Sequence, residues 1–142
     1  IREVLGSRGL GDVYKRQIQL QQIFYRMTKY FIENFNTANF LTEALYRSKA
    51  ASYFTNYRVQ HFIFIRTLIE QAQREGDICS DMNSYEIYTT LQSILIQPII
   101  IKNNILQQHK NEPLMDKLKL IDVSSESSLQ KRLRIAFKGL RP

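Results

Sequence analysis

A stretch near the middle of the chain, Gln71–Leu106, ends one helix and starts a long apolar one. Gly76 follows the helical pattern of Gln71–Glu75, and glycine readily adopts the left-handed conformation that ends many helices. Asn83, with Glu86 three residues later, is typical of a capping box that begins the next helix. The apolar residues that follow cover more than one helix face. This helix is therefore predicted to pack on its own core and on a second surface.

The 142 residues, 44% hydrophobic and 23% charged with five glycines and three prolines, predict one mostly helical domain. The longest apolar run, Ile94–Ile101, is interrupted by Gln97 and Pro98, and it is shorter than the roughly 20 residues of a membrane span. No membrane segment is therefore expected. The single cysteine, Cys79, cannot form an internal disulfide, which favours a reduced, cytoplasmic protein.

Apolar residues recur at helical spacing along the chain, without an alternating strand pattern, which predicts an all-α fold of about five to six helices. Helices are expected over residues 18–35, from about 37 to 48, from a junction at 50–52 to 75, and over Ser84–Leu106, which Pro98 should kink. A short helix over Leu114–Ile121 and a last helix, capped at residues 124–126 and ending near 138, complete the prediction.

The formal net charge of +7 raises the question of a nucleic-acid partner. The densest basic group lies at helical spacing among apolar residues and consists of Lys131, Arg132, Arg134, Lys138 and Arg141. This spacing favours a solvated helix face over a phosphate-binding patch.

Residues 1–17 differ from the rest of the chain, with three glycines in six residues and no sustained period. The segment DVYKRQ, Asp12–Gln17, resembles the translation of a transposase-end adapter used in sequencing libraries. We interpret residues 1–17 as an adapter-derived segment and residues 18–142 as the native domain. A glycine-rich phosphate loop is disfavoured because the order G-x-x-x-x-G-K-[ST] is absent.

Residues suited to catalysis are sparse. The two histidines, His61 and His109, are far apart in sequence, and Cys79 stands beside acids that disfavour a thiolate. Acids at the start of a helix, such as Asp81 and Glu86, are explained by the helix dipole. We therefore predict no enzymatic activity, no metal site and no cofactor.

Aromatic residues are concentrated between Phe24 and Tyr88. Rings at helical spacing usually form a core, and a lone histidine such as His61 is usually satisfied within it. Buried polar groups are nevertheless costly unless paired, and in a pocket they would orient a ligand. The candidate ligand-binding residues are Phe31, Phe54, Tyr57, His61, Phe64, Tyr88 and Gln92.

Two segments resemble the carboxy-terminal regulatory domain of TetR/AcrR-type transcriptional repressors. Ile69–Met82, IEQAQREGDICSDM, is similar to the helix end that precedes the dimer helix of that family, and Ile135–Pro142, IAFKGLRP, is similar to its final helix ending in G-L-R-P. The resemblance implies a TetR-like helical bundle and a homodimer, formed through a four-helix bundle by the helices at Ser84–Leu106 and Glu126–Lys138. The residues assigned to this interface are Leu91, Ile94, Leu95, Ile99, Leu129, Leu133, Ala136 and Phe137.

The resemblance also implies a pocket for a small hydrophobic or aromatic effector. Members of the family read DNA with a helix-turn-helix domain, which residues 1–17 do not supply. We therefore expect a fragment that senses a ligand and contacts DNA only through a missing N-terminal domain. The alternatives are a helical protein-interaction domain without a ligand, and a small helical enzyme with His61 close to an acid in an open cleft.

Overall fold

The computed structural model describes residues 15–34, 48–109 and 112–142, and it describes side chains in these ranges except at residues 48–59. The helices are α1 (Lys15–Glu33), α2 (Ser48–Arg74), α3 (Ser84–Leu95), α4 (Gln97–Gln108), α5 (Leu114–Leu120) and α6 (Glu126–Lys138). No strand occurs within these ranges, which confirms the all-α prediction. None of the helices in them is long and apolar enough to cross a membrane. The helix predicted from about 37 to 48 lies outside the described residues.

The first two helices begin earlier than the sequence predicts. The proposed junction at residues 50–52 is helical and belongs to α2. Helix α1 includes the last three residues of the segment interpreted as adapter-derived, and residues 1–14 lie outside the described ranges. The Arg16 guanidinium is 2.9 Å from the Glu75 carboxylate, and the Arg16 backbone N–H donates to Asp77 at 2.6 Å. These contacts attach the start of α1 to the end of α2.

Phe24 of α1 lies where α1, α3 and α6 meet. Its side chain is fully buried, and its ring makes edge contacts with Tyr88 of α3 and Phe137 of α6 at centroid distances of 6.3 and 6.4 Å. Helix α2 adds Ile65 and Ile69, which are also fully buried. Each large apolar side chain removed from water in this way stabilises the fold by about 1.5–3 kcal/mol.

Gly76 ends α2, as predicted, with a φ angle of 76°. The N–H of Asp77 donates to the Ala72 carbonyl at 2.9 Å, and the N–H of Gly76 donates to the Gln73 carbonyl at 3.1 Å. This pair of hydrogen bonds is the Schellman motif, in which the left-handed residue allows the chain to turn back on the last helical turn.

The loop between α2 and α3 is held by side chains at both ends. The Gln73 amide donates to the carbonyls of Cys79 and Met82 at 3.1 and 2.7 Å. Helix α3 then begins with the predicted capping box, in which the Asn83 side chain accepts from the Glu86 N–H and the Glu86 carboxylate accepts from the Asn83 N–H. Local sequence therefore fixes the start of α3.

The long helix predicted over Ser84–Leu106 is divided at Ile96, so the expected kink is a complete break between α3 and α4. Pro98 lies in the first turn of α4, where its missing N–H is tolerated. The Ile99 N–H donates to the Ile96 carbonyl at 3.1 Å. The carbonyl of Leu95 accepts instead from Arg132 of α6 at 3.0 Å. Helix α6 thus satisfies a group that the break exposes.

Replacing Gly76 by alanine should lower the free energy of unfolding by about 1 kcal/mol, because a Cβ is strained at this positive φ even though nothing lies within 4 Å of it. Gly139→Ala is the matched control. Gly139 has a φ of −68°, and an added Cβ would meet its nearest atoms at ordinary distances of 3.6 and 3.7 Å. Urea denaturation followed by circular dichroism measures both. An equal loss in the two variants would contradict the role of the left-handed conformation.

Candidate functional site

Helices α2 and α3 bring together three polar side chains, His61, Tyr88 and Gln92, which we call the polar trio. The Tyr88 hydroxyl lies 3.0 Å from Nδ1 of His61 and accepts a hydrogen bond from Nε2 of Gln92 at 2.9 Å. Tyr88 and Gln92 are one helical turn apart, so they share one side of α3. Because Gln92 donates to the hydroxyl oxygen, the hydroxyl can donate its own proton to a neutral imidazole.

Aromatic rings surround the polar trio. The ring of Phe62 lies 5.2 Å from that of Tyr88 and 5.7 Å from that of Tyr85, and Phe24 meets Tyr88 from the core at 6.3 Å. Tyr88 is 8% exposed, whereas Tyr85 is 62% exposed. The trio therefore lies at the border between the core and the surface of α2 and α3. Apolar rings with a few polar groups among them are suited to binding a small organic molecule.

Burial lowers the pKa of His61 below its usual value of 6.5, because desolvation disfavours the charged imidazolium. A neutral His61 can keep a lone pair on Nδ1 and accept the Tyr88 proton. Protonation would turn Nδ1 into a donor, facing a hydroxyl that already accepts from Gln92. Acid therefore reverses the direction in which the His61–Tyr88 hydrogen bond can be donated, and it places a charge on a half-buried ring.

A second network fixes the start of α3 to α2. The Glu70 carboxylate accepts hydrogen bonds from Arg66 Nε at 2.7 Å and from Ser84 Oγ at 3.0 Å. These two bonds, with that from Arg66 the stronger influence, lower the pKa of Glu70. The ionised carboxylate thus holds Ser84, the first residue of the helix that carries Tyr88.

The polar trio accounts for three of the seven predicted ligand-binding residues. Phe31 is partly buried against the core. Phe64 is 60% exposed, because the buried side of α2 is formed by residues such as Ile65, so it is not part of the aromatic wall around the trio. The side chains of Phe54 and Tyr57 lie outside the described part of the chain.

Phe62 and Phe24 contact Tyr88 but were not selected from the sequence. Phe62 precedes the buried Ile65 and Ile69 by three and seven residues, which is the spacing of one helix side. That spacing is the signal that would have found Phe62. Phe24 belongs to a helix distant in sequence, and no local pattern connects it to Tyr88.

Seven of the eight predicted interface residues are buried within a single chain, each with at most 6% exposure: Leu91, Leu95, Ile99, Leu129, Leu133, Ala136 and Phe137. Only Ile94 is partly exposed. Side chains that are already covered can contribute little further area to a partner. These residues therefore form the inward sides of α3, α4 and α6, and contacts in a homodimer would have to come from their outward neighbours. The homodimer itself stays a prediction.

The acids and cysteine around the α2–α3 loop do not form a metal centre. Within residues 15–34, 48–109 and 112–142, no group of three or more His, Cys, Asp or Glu side chains could hold a metal ion. Burial, followed by the hydrogen bond and charge of Asp81, raises the pKa of the Cys79 thiol, which disfavours the reactive thiolate. The backbone N–H of Cys79 donates to the Leu140 carbonyl at 2.8 Å, so this residue joins the loop to the segment after α6.

The chain was compared with models of protein families, with characterised proteins and with solved structures. None of the three comparisons found a match.

Lowering the pH should destabilise the protein through His61. Because its folded-state pKa lies below the unfolded value of 6.5, the unfolded chain binds more protons between the two values, and the free energy of unfolding falls as the pH drops below about 6.5. His61→Gln lacks this titration. The difference in the free energy of unfolding between wild type and His61→Gln should therefore become smaller as the pH is lowered from about 8 to about 5.

The control is His109→Gln, which removes the other histidine, an exposed residue 3.0 Å from Glu112. This variant should retain the destabilisation that His61 causes in acid. Urea denaturation at several pH values between about 5 and about 8 measures the free energy of unfolding of wild type and of both variants. Parallel pH profiles for wild type and His61→Gln would contradict the assignment.

Proposed function

We propose that this chain is the ligand-sensing and dimerisation domain of a TetR/AcrR-type transcriptional repressor. The observation that carries the proposal is the polar trio within its aromatic surroundings, where α2 and α3 meet. The helix order adds support. The two family-like segments, Ile69–Met82 and Ile135–Pro142, begin within α2 and α6 and run past the ends of these helices.

The proposed effector is a small hydrophobic or aromatic molecule that packs against Phe62 and hydrogen-bonds to the polar trio. Its entry between α2 and α3 changes the position of α3, which packs against α6 in the core that includes Leu91 and Leu129. A ligand shifts such an equilibrium by binding one arrangement more tightly than the other. In a dimeric repressor, this shift alters the separation of the two N-terminal DNA-binding domains, one in each subunit.

A second candidate function is that of a helical protein-interaction domain without a small-molecule ligand. The observation that favours it is a set of exposed apolar side chains on α4, on α5 and at Ile121, the residue that follows α5. Ile101, Leu114, Leu120 and Ile121 are between 52% and 85% exposed. Exposed apolar groups of this kind often mark interaction sites. Neither candidate assigns a catalytic role to the chain.

A thermal-shift screen with small aromatic and hydrophobic compounds tests the sensing function. At least one compound class should raise the melting temperature of the wild-type protein. Tyr88→Phe keeps the ring but removes the hydroxyl, so the affinity for a hydrogen-bonding effector should fall by about tenfold. Tyr85→Phe is the control, because Tyr85 is 62% exposed, and it should respond like wild type. A screen without any stabilising compound would favour the interaction domain instead.

The outward sides of α3 and α6 provide the candidate dimer face. Arg132 reaches the Leu95 carbonyl at 3.0 Å, so this side of α6 adjoins α3. Ile135, one helical turn after Arg132, is 64% exposed. On α3, Thr90 is exposed and Ile94 is partly exposed, again one turn apart. Together they supply apolar and small side chains where two copies could form a four-helix bundle.

Ile135→Glu should convert the homodimer to a monomer at micromolar concentration, because it would replace an apolar contact in the interface by a charge that is costly to bury. The monomer should stay folded, since Ile135 is 64% exposed and Lys131 and Lys138 lie three to four residues away on the same helix. Leu120→Glu, at a position that is 85% exposed on α5, is the control and should leave association unchanged. Analytical ultracentrifugation distinguishes the species. Wild-type protein that sediments as a monomer would refute the dimer.

A further inference from the structure

An open groove of about 350 Å³ lies between α1 and α6, lined by Gln21, Gln22, Tyr25, Arg26, Gln130 and Leu133. No member of the polar trio lines this groove, so it is a separate surface. Leu133 is 6% exposed and provides a buried apolar floor. The other lining residues are partly or fully exposed, and three of them carry a side-chain amide.

Glu126, an acid beside the groove, already has hydrogen-bond partners and a neighbouring cation. The Glu126 carboxylate accepts hydrogen bonds from the Tyr25 hydroxyl at 2.9 Å and from Gln130 Nε2 at 3.0 Å, and Lys29 lies 3.6 Å away. The hydrogen bonds from Gln130 and Tyr25 lower the pKa of Glu126, so the carboxylate is ionised and held by these partners. Arg26 is exposed and forms no ion pair within the part of the chain that the structure describes.

We infer that this groove binds an acidic segment of a partner protein in an extended conformation. The planar guanidinium of Arg26 has the geometry to pair with a carboxylate through two parallel hydrogen bonds. The amides of Gln21 and Gln22 can each donate and accept, which matches the alternating N–H and C=O groups of an extended backbone. Residues 18–142, which we interpret as the native domain, carry 16 Lys and Arg against 11 Asp and Glu, a net charge of +5, and this charge favours encounter with an acidic partner.

The lining chemistry favours a peptide over a nucleic acid. A nucleic-acid strand presents a phosphate at every nucleotide. Its binding affinity therefore depends on the number of basic side chains that contact these phosphates. The groove offers one guanidinium and the amides of Gln21 and Gln22, since the Gln130 amide already donates to Glu126. This set suits a backbone with an occasional acid better than a continuous row of phosphates. Its volume of about 350 Å³ suits a short stretch of chain.

Fluorescence anisotropy with a labelled peptide of alternating glutamate and serine tests this inference on the full 142-residue chain. Arg26→Ala should weaken binding by about tenfold through loss of a charge-assisted hydrogen bond. Arg74→Ala makes the same charge change at an exposed position on α2, and it should weaken binding less than about twofold. Gln22→Ala, which leaves the charge unchanged, should weaken binding by about threefold.

Circular dichroism confirms that each variant is folded. Equal losses for Arg26→Ala and Arg74→Ala would show attraction by net charge alone and would overturn the inference. A peptide that fails to bind at low salt would do the same. A single-stranded oligonucleotide of equal charge provides the third comparison. If it binds as tightly as the peptide and with the same dependence on Arg26, the site recognises polyanions and the peptide assignment is wrong.

Discussion

The contact of Phe24 with Tyr88 and Phe137 connects three helices through one buried ring. Such aromatic pairs contribute about 0.5–1.5 kcal/mol beyond the burial of their area. Tyr88 has two roles in consequence: its ring belongs to the core, and its hydroxyl meets His61 and Gln92. The polar trio therefore cannot shift without disturbing the packing of α1 against α3.

Helix ends were predictable where the signal is local. The left-handed Gly76, the capping box that starts at Asn83, and the cap at Ser125, whose side chain accepts from the Ser128 N–H, each depend on residues within a few positions. The break at Ile96 was underestimated, because the group that stabilises it comes from Arg132, 37 residues away from Leu95. Pro98 indicates the position of the break, but no local sequence pattern indicates the hydrogen bond from Arg132 to the Leu95 carbonyl that stabilises it.

The candidate site was predictable in its polar members and less so in its surroundings. Polar groups on an apolar stripe need partners, which is why His61, Tyr88 and Gln92 could be selected from spacing alone. Phe62 shares the spacing of the buried Ile65 and Ile69, but the prediction followed the apolar residues that include Phe64, so it selected the exposed Phe64 and did not select Phe62. An ambiguity also applies to the predicted dimer face, which stays a prediction, because apolar periodicity indicates a buried side without distinguishing its own chain from a second copy.

The hydrogen bonds of the polar trio limit the chemistry of any effector that binds there. Gln92, Tyr88 and His61 already form a connected series of polar contacts, so a purely apolar ligand that separates them leaves polar groups unsatisfied at a cost of about 1–3 kcal/mol for each. A ligand that replaces the bond it breaks avoids this cost. An aromatic body with one acceptor or donor at its edge meets both demands, because the body packs on Phe62 while the polar group engages Tyr88. Under the proposed function, the hydrogen bonds of the trio would therefore select an effector by its polarity.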